Sequence, residues 1–339
     1  MIPEAILERT TSRFPRFDRE RVRIEPLEKG GSGRKFYRIA VAGEGSLILV
    51  RYTDQREENR HYCHIAAFLE AADVSTPAFY HHDSEEGLIW MEDLGELDLW
   101  HFRHAPWEER RELYRATLRE AVGLHTRGHV ILPTLKENRP TFQQAFDADL
   151  YRWEQNYFFQ YCLERHFGVR LEETEAAAAR PVLDAIAERL AALPRVLVHR
   201  DFQSQNILIR KEGGERPVVL IDFQGMRPGL PQYDLASLLY DPYVPFTPEE
   251  RDSLLGDYIL LCAEAGFAVP ADFRTVYDWC AMQRLMQALG AYGFLGHTQE
   301  RPDFLTHIPA ALASLDEVLG RIEGAAALRT LVSTLKANP

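Results

Sequence analysis

The residues whose types and spacing could do chemistry are concentrated in the segment His199–Leu208, which reads HRDFQSQNIL. Its HxDxxxxN pattern contains Asp201 and Asn206, and an apolar run further along leads to the motif IDF, whose aspartate is Asp222. Phosphoryl transfer to a hydroxyl needs a carboxylate near the acceptor, oxygen ligands for Mg²⁺ and stabilisation of the charge on the moving group. The pattern therefore predicts Asp201 as the residue that orients or activates the acceptor hydroxyl, and Asn206 and Asp222 as magnesium ligands.

A glycine-rich segment lies upstream, where KGGSGRKFYRI occupies residues 29–39 between two predicted strands. Because glycine has no Cβ, the backbone N–H groups at Gly30, Gly31, Ser32 and Gly33 can approach phosphates closely. Neither Gly-Lys-Ser nor Gly-Lys-Thr follows, so this is not a Walker loop. A turn of this composition is often only a turn. Its position ahead of the catalytic motif nevertheless favours a cover over nucleotide phosphates.

The predicted secondary structure that must position these residues changes once along the chain, from mainly strands to mainly helices. Alternating apolar patterns predict strands over residues 21–27, 35–41, 46–52, 77–82 and 88–91, with a helix over 57–71. Beyond Met91–Gly95 the periodicity is mainly helical, including residues 106–125, 142–167 and 172–193. We therefore predict an α+β fold of two lobes. Residues 1–94 form an N-terminal antiparallel β-sheet lobe that binds a nucleotide, and residues 95–339 form a larger, mainly helical lobe.

Charge and composition exclude several classes of protein. The net charge of −12 disfavours a nucleic-acid partner, which clustered Lys and Arg would have to bind. A single nucleotide is compatible with this charge, because a few local donors and Mg²⁺ can hold it. The 4 cysteines form no CxxC pair, so zinc and redox sites have no support. No apolar run approaches the length of a membrane span, so we predict a cytoplasmic protein without a membrane partner.

Together, the HRDFQSQNIL and IDF motifs resemble those of the aminoglycoside phosphotransferase-like branch of the protein-kinase-like fold. The segment Tyr233–Pro242, YDLASLLYDP, is similar to the family segment in which the equivalent of Asp234 supports the catalytic loop. Within that branch the chain most resembles the anomeric N-acetylmuramate/N-acetylglucosamine kinases of cell-wall recycling, through Phe146–Gly168 and Gln283–Pro309. The resemblance implies ATP and Mg²⁺ as cofactors and phosphorylation of the C1 hydroxyl of an amino sugar.

The resemblance also implies a nucleotide site between the lobes. The segment LIWMEDLG would form the hinge, with Met91 lining the adenine pocket and the backbone around Glu92 and Leu94 reading the edge of the base. The site would therefore combine the hinge with the glycine-rich cover.

One position departs from the family pattern. Arg51 stands on the third predicted strand, where many relatives carry a lysine that pairs with the nucleotide phosphates. Arginine can contact phosphate bidentately, but it is bulkier than lysine and the two are not interchangeable at such a site. Either Arg51 takes this role, or another cation such as Lys35 does, or the enzyme relies less on it. The partner of this cation would be Glu57 or Glu58.

Two features predict the acceptor site. Asp149, Trp153 and Asn156 share one face of a predicted helix, and an aromatic ring beside polar groups suits a sugar. The alternative is that Trp153 is a core residue. Arg284 interrupts an apolar helical stripe, which directs its guanidinium towards the interior. There it would bind a substrate carboxylate, such as a lactyl group, or neutralise a buried carboxylate of the protein.

The sequence thus predicts an ATP-dependent phosphotransferase acting on a small hydroxylated amino sugar. The alternatives are a kinase for an aminoglycoside, another hexose or a choline-like alcohol, and a regulatory nucleotide-binding pseudokinase. A choline-type site would need several aromatic rings around a cation, which the sequence does not clearly assemble. The choice between ATP and GTP and the oligomeric state stay open.

Overall fold

The computed structural model describes residues 4–17, 20–27, 34–53, 59, 61–134, 140–210 and 216–337. The predicted phosphate cover from Gly30 to Gly33 lies outside these residues, as do Glu57 and Glu58. Among the described residues, no helix is both long enough and apolar enough to cross a membrane.

The N-terminal part is an antiparallel sheet with the order β1-β2-β3-β5-β4. Its strands are β1 (Val22–Leu27), β2 (Lys35–Val41), β3 (Gly45–Arg51), β4 (Phe79–Asp83) and β5 (Leu88–Glu92). The helix α1 (Glu4–Arg13) precedes the sheet, and α2 (Tyr62–Ala71) lies between β3 and β4. The predicted five-stranded antiparallel sheet with an inserted helix is therefore confirmed.

The two faces of this sheet pack against different partners, because successive side chains of a strand point to opposite sides. Leu47 and Leu49 belong to a small core with Ile6 of α1 and Phe17. The intervening residues of β3 instead join the main core with Tyr62 and other residues of α2. Only the second face of the sheet is directed towards the helical part of the chain.

The remainder is mainly helical, as predicted. Its helices are α3 (Trp107–Ile131), α4 (Ala148–Tyr157), α5 (Arg165–Phe167), α6 (Arg180–Ala192), α7 (Pro231–Leu239), α8 (Pro248–Glu264), α9 (Phe273–Thr298), α10 (Ile308–Leu319) and α11 (Ala326–Ala337). A π-helical turn, Phe158–Glu164, joins α4 to α5. The fold class is confirmed, while the division at residue 94 stays a prediction.

The helix predicted over residues 172–193 begins later than expected, as does the one predicted over 142–167, where α4 starts at Ala148. The alanine-rich run predicts a helix from residue 172, but α6 starts at Arg180 and is preceded by a 3₁₀ turn, Glu175–Ala179. Pro181 lies in the first turn of α6. Proline has no N–H to donate and its ring clashes with the preceding turn, so it is tolerated at a helix start and not in the interior.

Two short antiparallel ribbons interrupt the helices and carry the motifs. One pairs β6 (Val196–Val198) with β9 (Arg227–Gly229), and the other pairs β7 (Ile207–Ile209) with β8 (Val218–Leu220). The HRDFQSQN segment is the loop between β6 and β7, and the IDF motif follows β8 directly. The topology therefore brings both motifs to the same edge of the helical part.

Candidate active site

The loop that carries Asp201 is held by a buried aspartate of α7. Asp234 accepts hydrogen bonds from the backbone N–H groups of His199, at 2.7 Å, and Arg200, at 2.8 Å. Arg200 has a φ of 78°, a left-handed conformation that is costly for a residue with a Cβ and that persists only where surrounding contacts enforce it. The predicted supporting role of Asp234 is confirmed, since its carboxylate fixes the residues immediately before Asp201.

Asp201 lies between two guanidinium groups. Its Oδ2 is 3.5 Å from Nη1 of Arg200, and its Oδ1 is 3.8 Å from Nη2 of Arg284. Burial alone would raise the pKa of Asp201, but the positive charges of Arg200 and Arg284 outweigh it and hold the pKa below its ordinary value. The carboxylate is therefore ionised at neutral pH, the form that can accept a hydrogen bond from a hydroxyl.

The two predicted metal ligands are tied to the same loop. Nδ2 of Asn206 donates to the carbonyl oxygen of Asp201 at 2.8 Å, and the backbone N–H of Ile221 donates to the carbonyl oxygen of Asn206 at 3.0 Å. The first bond fixes the orientation of the amide, whose other end is an oxygen of the kind that Mg²⁺ prefers. Asp222 adopts a φ of 63°, a second left-handed residue at this edge. Both side chains line one cavity.

This cavity, of about 490 Å³, lies between the sheet and the catalytic loop. The structure brings the predicted hinge residues Met91, Glu92 and Leu94 into the lining of this cavity together with Asn206 and Asp222. Its volume is in the range of small-molecule and cofactor sites. The cavity is thus large enough for a nucleotide with its base at the hinge and its phosphates at the catalytic loop.

The structure does not bring Arg51 to this cavity. Arg51 is exposed at the end of β3, and its cross-strand neighbour on β2, Lys35, is exposed as well. By the alternation of the strand, Arg51 is on the side of Leu49, whereas the preceding residue, Val50, is buried in the main core. The nucleotide roles considered for Arg51 and Lys35 stay predictions.

A different cation lines the cavity. Arg34 precedes β2 and is not among the site residues predicted from the sequence. Its Nη2 donates to Oδ1 of Asp222 at 2.6 Å, and its Nη1 donates to Oε1 of Gln224 at 3.0 Å. The alternation of side chains along β2 could have located Arg34. Arg34 is two residues before Phe36 and so is on the same face of the sheet as Phe36, which also lines the cavity.

Arg284 lies on the other side of Asp201. Its Nε donates to Oγ of Ser237 at 3.0 Å, it contacts Gln287, and 12% of its side chain is exposed. The predicted inward direction of this guanidinium is therefore observed. Its carboxylate neighbour in the described structure is Asp201.

The three predicted sugar-binding residues on α4 occupy the outer side of that helix. The side chain of Asp149 is 92% exposed and pairs with Arg152, and Asn156 accepts a hydrogen bond from Arg180. Trp153 is 49% exposed and stacks on Tyr157 with the ring centroids 4.8 Å apart. Trp153 is therefore not a core residue. The described contacts of Asp149, Trp153 and Asn156 connect none of them to Asp201, and their role in substrate binding stays a prediction.

The inner side of α4 carries an acid that sequence reasoning missed. Glu154 is buried, and Oε1 accepts a hydrogen bond from the hydroxyl of Tyr233 at 2.6 Å. Its Oε2 is buried without a hydrogen-bond partner among the described residues. Burial raises the pKa of Glu154 to about 7, although the Tyr233 hydrogen bond and the charges of Arg200 and Arg284 oppose the rise.

A third arginine completes this region. Arg227 of β9 lies over the ring of Phe146, with 5.2 Å from its Cζ to the ring centroid. Burial and the nearby charge of Arg200 lower the pKa of Arg227. Arg200, Arg227 and Arg284 all act electrostatically on both Asp201 and Glu154. We call these five residues the acceptor-side cluster. These five residues comprise three guanidinium groups and two carboxyl groups, and the buried carboxylate of Asp241 also interacts electrostatically with Arg284.

The sheet, the cavity and the supported catalytic loop together define a two-lobed kinase-like phosphotransferase. The chain belongs to the phosphotransferase enzyme family, whose model matches residues 23–274. It is therefore an enzyme, a kinase, and its sequence is similar to those of amino sugar kinases.

Two curated relatives carry the name N-acetylmuramate/N-acetylglucosamine kinase. The one from Pseudomonas aeruginosa is 26% identical over 316 residues, which cover 91% of this chain and 88% of the relative. The one from Neisseria meningitidis is 26% identical over 306 residues, covering 89% of this chain and 87% of the relative. The similarity therefore extends across both lobes.

Solved structures share the fold at lower identity. A microcompartment-associated aminopropanol kinase has a TM-score of 0.64 at 16% identity, covering 96% of this chain and 99% of that structure. A choline kinase from Streptococcus pneumoniae has a TM-score of 0.57 at 16% identity, covering 93% and 98%. An ADP-bound aminoglycoside phosphotransferase has a TM-score of 0.55 at 14% identity, covering 94% and 99%.

Proposed function

We propose that this enzyme transfers the γ-phosphate of ATP to an amino sugar, at the anomeric C1 hydroxyl of N-acetylmuramate, N-acetylglucosamine or both. The names of the curated relatives support this substrate class, since the similarity covers most of each chain. An anomeric phosphate product would suit the recycling of cell-wall sugars in the cytoplasm. The observation that carries the choice of acceptor is the positive charge of the acceptor-side cluster.

That charge discriminates between classes of acceptor. Aminoglycosides, choline and aminopropanol are cations, and each would meet Arg200, Arg227 and Arg284 next to Asp201. At about 6 Å and an effective dielectric constant of about 20, two like charges repel by about 3 kcal/mol. That energy corresponds to a loss of about 100-fold in affinity. A neutral N-acetyl sugar avoids this repulsion, and a sugar with a carboxylate is attracted.

On the donor side, Asn206 and Asp222 would hold Mg²⁺. Both present oxygen atoms to the same cavity, and the amide orientation of Asn206 is set by its bond to the Asp201 carbonyl group. This donor set fits a hard cation that prefers oxygen. When bound, Mg²⁺ would neutralise part of the negative charge of the ATP phosphates. Met91 and the backbone at Glu92 and Leu94 would receive the adenine.

Asp201 would act on the acceptor. Its ionised carboxylate accepts a hydrogen bond from the C1 hydroxyl and takes the proton as that oxygen forms a bond to the γ-phosphorus. The bond between the γ-phosphorus and the bridging oxygen breaks, and ADP leaves with that oxygen. Arg200, adjacent to the carboxylate, stabilises the negative charge that develops near it.

The direct test is to identify the product. The enzyme is incubated with ATP, Mg²⁺ and either N-acetylmuramate or N-acetylglucosamine, and the phosphate position is read by NMR. We expect a phosphate on C1 and none in the D201N variant. A phosphate on another hydroxyl would overturn the regiochemistry. An absence of turnover with a broad panel of hydroxylated acceptors would favour a regulatory pseudokinase.

A further inference from the structure

The face of the sheet that lines the nucleotide cavity receives no cation from β3, whose residues are all described. Ile48 lines the cavity, and the next residue on the same face is Val50, which is fully buried. Arg51, the basic residue of this strand, is on the opposite face of the sheet. A cation for the nucleotide phosphates must therefore come from another element.

Arg34 is in a position to supply this cation. It directly follows the glycine-rich segment and has the parity of Phe36 and Ile48 across the sheet, so it is on the cavity face. Only 5% of its side chain is exposed, and its Cζ is 5.3 Å from the centroid of the Tyr62 ring. The aromatic ring and the strand start restrict where the guanidinium can go.

Two polar side chains aim this guanidinium at the metal-binding end of the cavity. Asp222 accepts from Nη2 at 2.6 Å and Gln224 accepts from Nη1 at 3.0 Å, while Nε2 of Gln224 donates back to Oδ1 of Asp222 at 2.8 Å. The three groups form a closed triangle. Gln224 stands two residues after the metal-binding aspartate and connects it to the arginine.

The contact with Asp222 places Arg34 within reach of phosphates. Asp222 would hold Mg²⁺, and the metal would bring the nucleotide phosphates to the end of the cavity where Arg34 already contacts that carboxylate. A guanidinium presents its N–H donors in a planar fork that suits phosphate.

We infer that Arg34 is the phosphate-binding cation of this enzyme, held by Asp222 and Gln224, in place of a basic residue from β3. It binds the charged part of the nucleotide and contributes nothing to binding of the base. The inference rests on the proposed nucleotide site and is independent of which acceptor is used. A contrary reading of the same contact is that Arg34 competes with Mg²⁺ for Asp222. The two readings predict effects of opposite sign.

The test measures binding of Mg-ATP, Mg-ADP and adenosine to the full chain by calorimetry, without acceptor. In R34M we expect the affinity for Mg-ATP and Mg-ADP to fall by about 10- to 100-fold, as for loss of a charge-assisted contact, and adenosine binding to change by less than about twofold. R9M is the matched control, because it removes an arginine of α1, which packs on the other face of the same sheet and pairs with Asp83 and Glu86. It should bind all three ligands like the wild type.

A second variant keeps the test decisive if R34M does not fold. R34K retains one positive charge without the planar fork, and it should lose about 3- to 10-fold in Mg-ATP affinity while its unfolding temperature stays near that of the wild type. Equal Mg-ATP affinity in wild type, R34M and R34K would overturn the inference, and tighter Mg-ATP binding in R34M would establish competition instead. If the wild type binds no Mg-ATP, the proposed function itself fails.

Discussion

The nucleotide side and the acceptor side of Asp201 differ in how their arginine side chains are arranged. On the nucleotide side, Arg34 is paired with Asp222 and hydrogen-bonded to Gln224. On the acceptor side, three arginines surround Asp201 and Glu154. A triphosphate arrives with Mg²⁺ and needs only a modest local cation. The acceptor brings no metal, and under the proposed function the arginines there would disfavour cations and favour neutral or anionic sugars.

The largest expected effect comes from the residue between the two sides. Asp201→Asn keeps the size of the side chain and removes the ionised carboxylate, so we expect kcat to fall by about 10³-fold, in the range for loss of a general base. Binding of Mg-ATP, measured by calorimetry, should change by less than about twofold. A variant with near wild-type kcat would remove Asp201 from the chemistry.

A change on the nucleotide side should be specific to the metal. Asp222→Ala removes a charged magnesium ligand, and we expect Mg-ATP affinity to fall by about 100-fold. In the presence of EDTA, wild type and variant should bind ATP within a few-fold of each other. If the loss is the same with and without Mg²⁺, Asp222 acts through Arg34 and not through the metal.

A change on the acceptor side should alter selectivity. Arg284→Gln lowers the positive charge next to Asp201, so kcat/KM for N-acetylmuramate should fall by about 10- to 100-fold, and that for N-acetylglucosamine by less. The control is R274Q, in an exposed ion pair with Asp252, which should leave both values unchanged. Equal losses for the two sugars would mean that Arg284 only positions Asp201.

The smallest expected effect is a pH dependence of KM caused by Glu154, whose pKa is raised to about 7 by burial. As pH rises from 6 to 8, this carboxyl ionises and neutralises part of the arginine charge. The KM for N-acetylmuramate should therefore rise a few-fold over that interval, while the KM for N-acetylglucosamine stays nearly constant. In E154Q the KM for N-acetylmuramate should be independent of pH. A wild-type KM for N-acetylmuramate that does not change over this interval would show that Glu154 has no part in acceptor binding.

The same group affects stability with a definite sign. The pKa of Glu154 is raised in the folded state above its ordinary value of 4.5, so folding favours its protonated form. Its contribution to stability is fully present below about pH 4.5 and is lost as pH rises through about 7, by about 3 kcal/mol. Chemical unfolding of E154Q should lack this component of the pH dependence.

The sequence predicted the residues whose neighbours lie close along the chain. Asn206 and Asp222 follow from a loop and a strand that form one ribbon, and Asp234 follows from a local motif. Met91 could be located by the change of pattern at the end of the sheet. In each case short segments determine where the side chain goes.

The remaining site residues depend on packing between distant segments. Arg34 meets Asp222 across 188 positions of sequence, and Glu154 meets Tyr233 across 79. For α4, periodicity groups Trp153 with its neighbours on one side of the helix but does not say which side faces the interior. The packing of α4 against other helices, including α6 and α9, determines that Glu154 is buried and Trp153 is half exposed.

The most direct measurement of the central claim compares kcat/KM for three sugars that differ mainly in charge. N-acetylmuramate is anionic, N-acetylglucosamine is neutral and glucosamine is cationic at neutral pH. Low ionic strength keeps the electrostatic differences large. The excess of arginine beside Asp201 predicts the order N-acetylmuramate, N-acetylglucosamine, glucosamine, with at least about 100-fold between the first and the last. A preference for glucosamine, or equal values for all three, would contradict an acceptor site selected by positive charge.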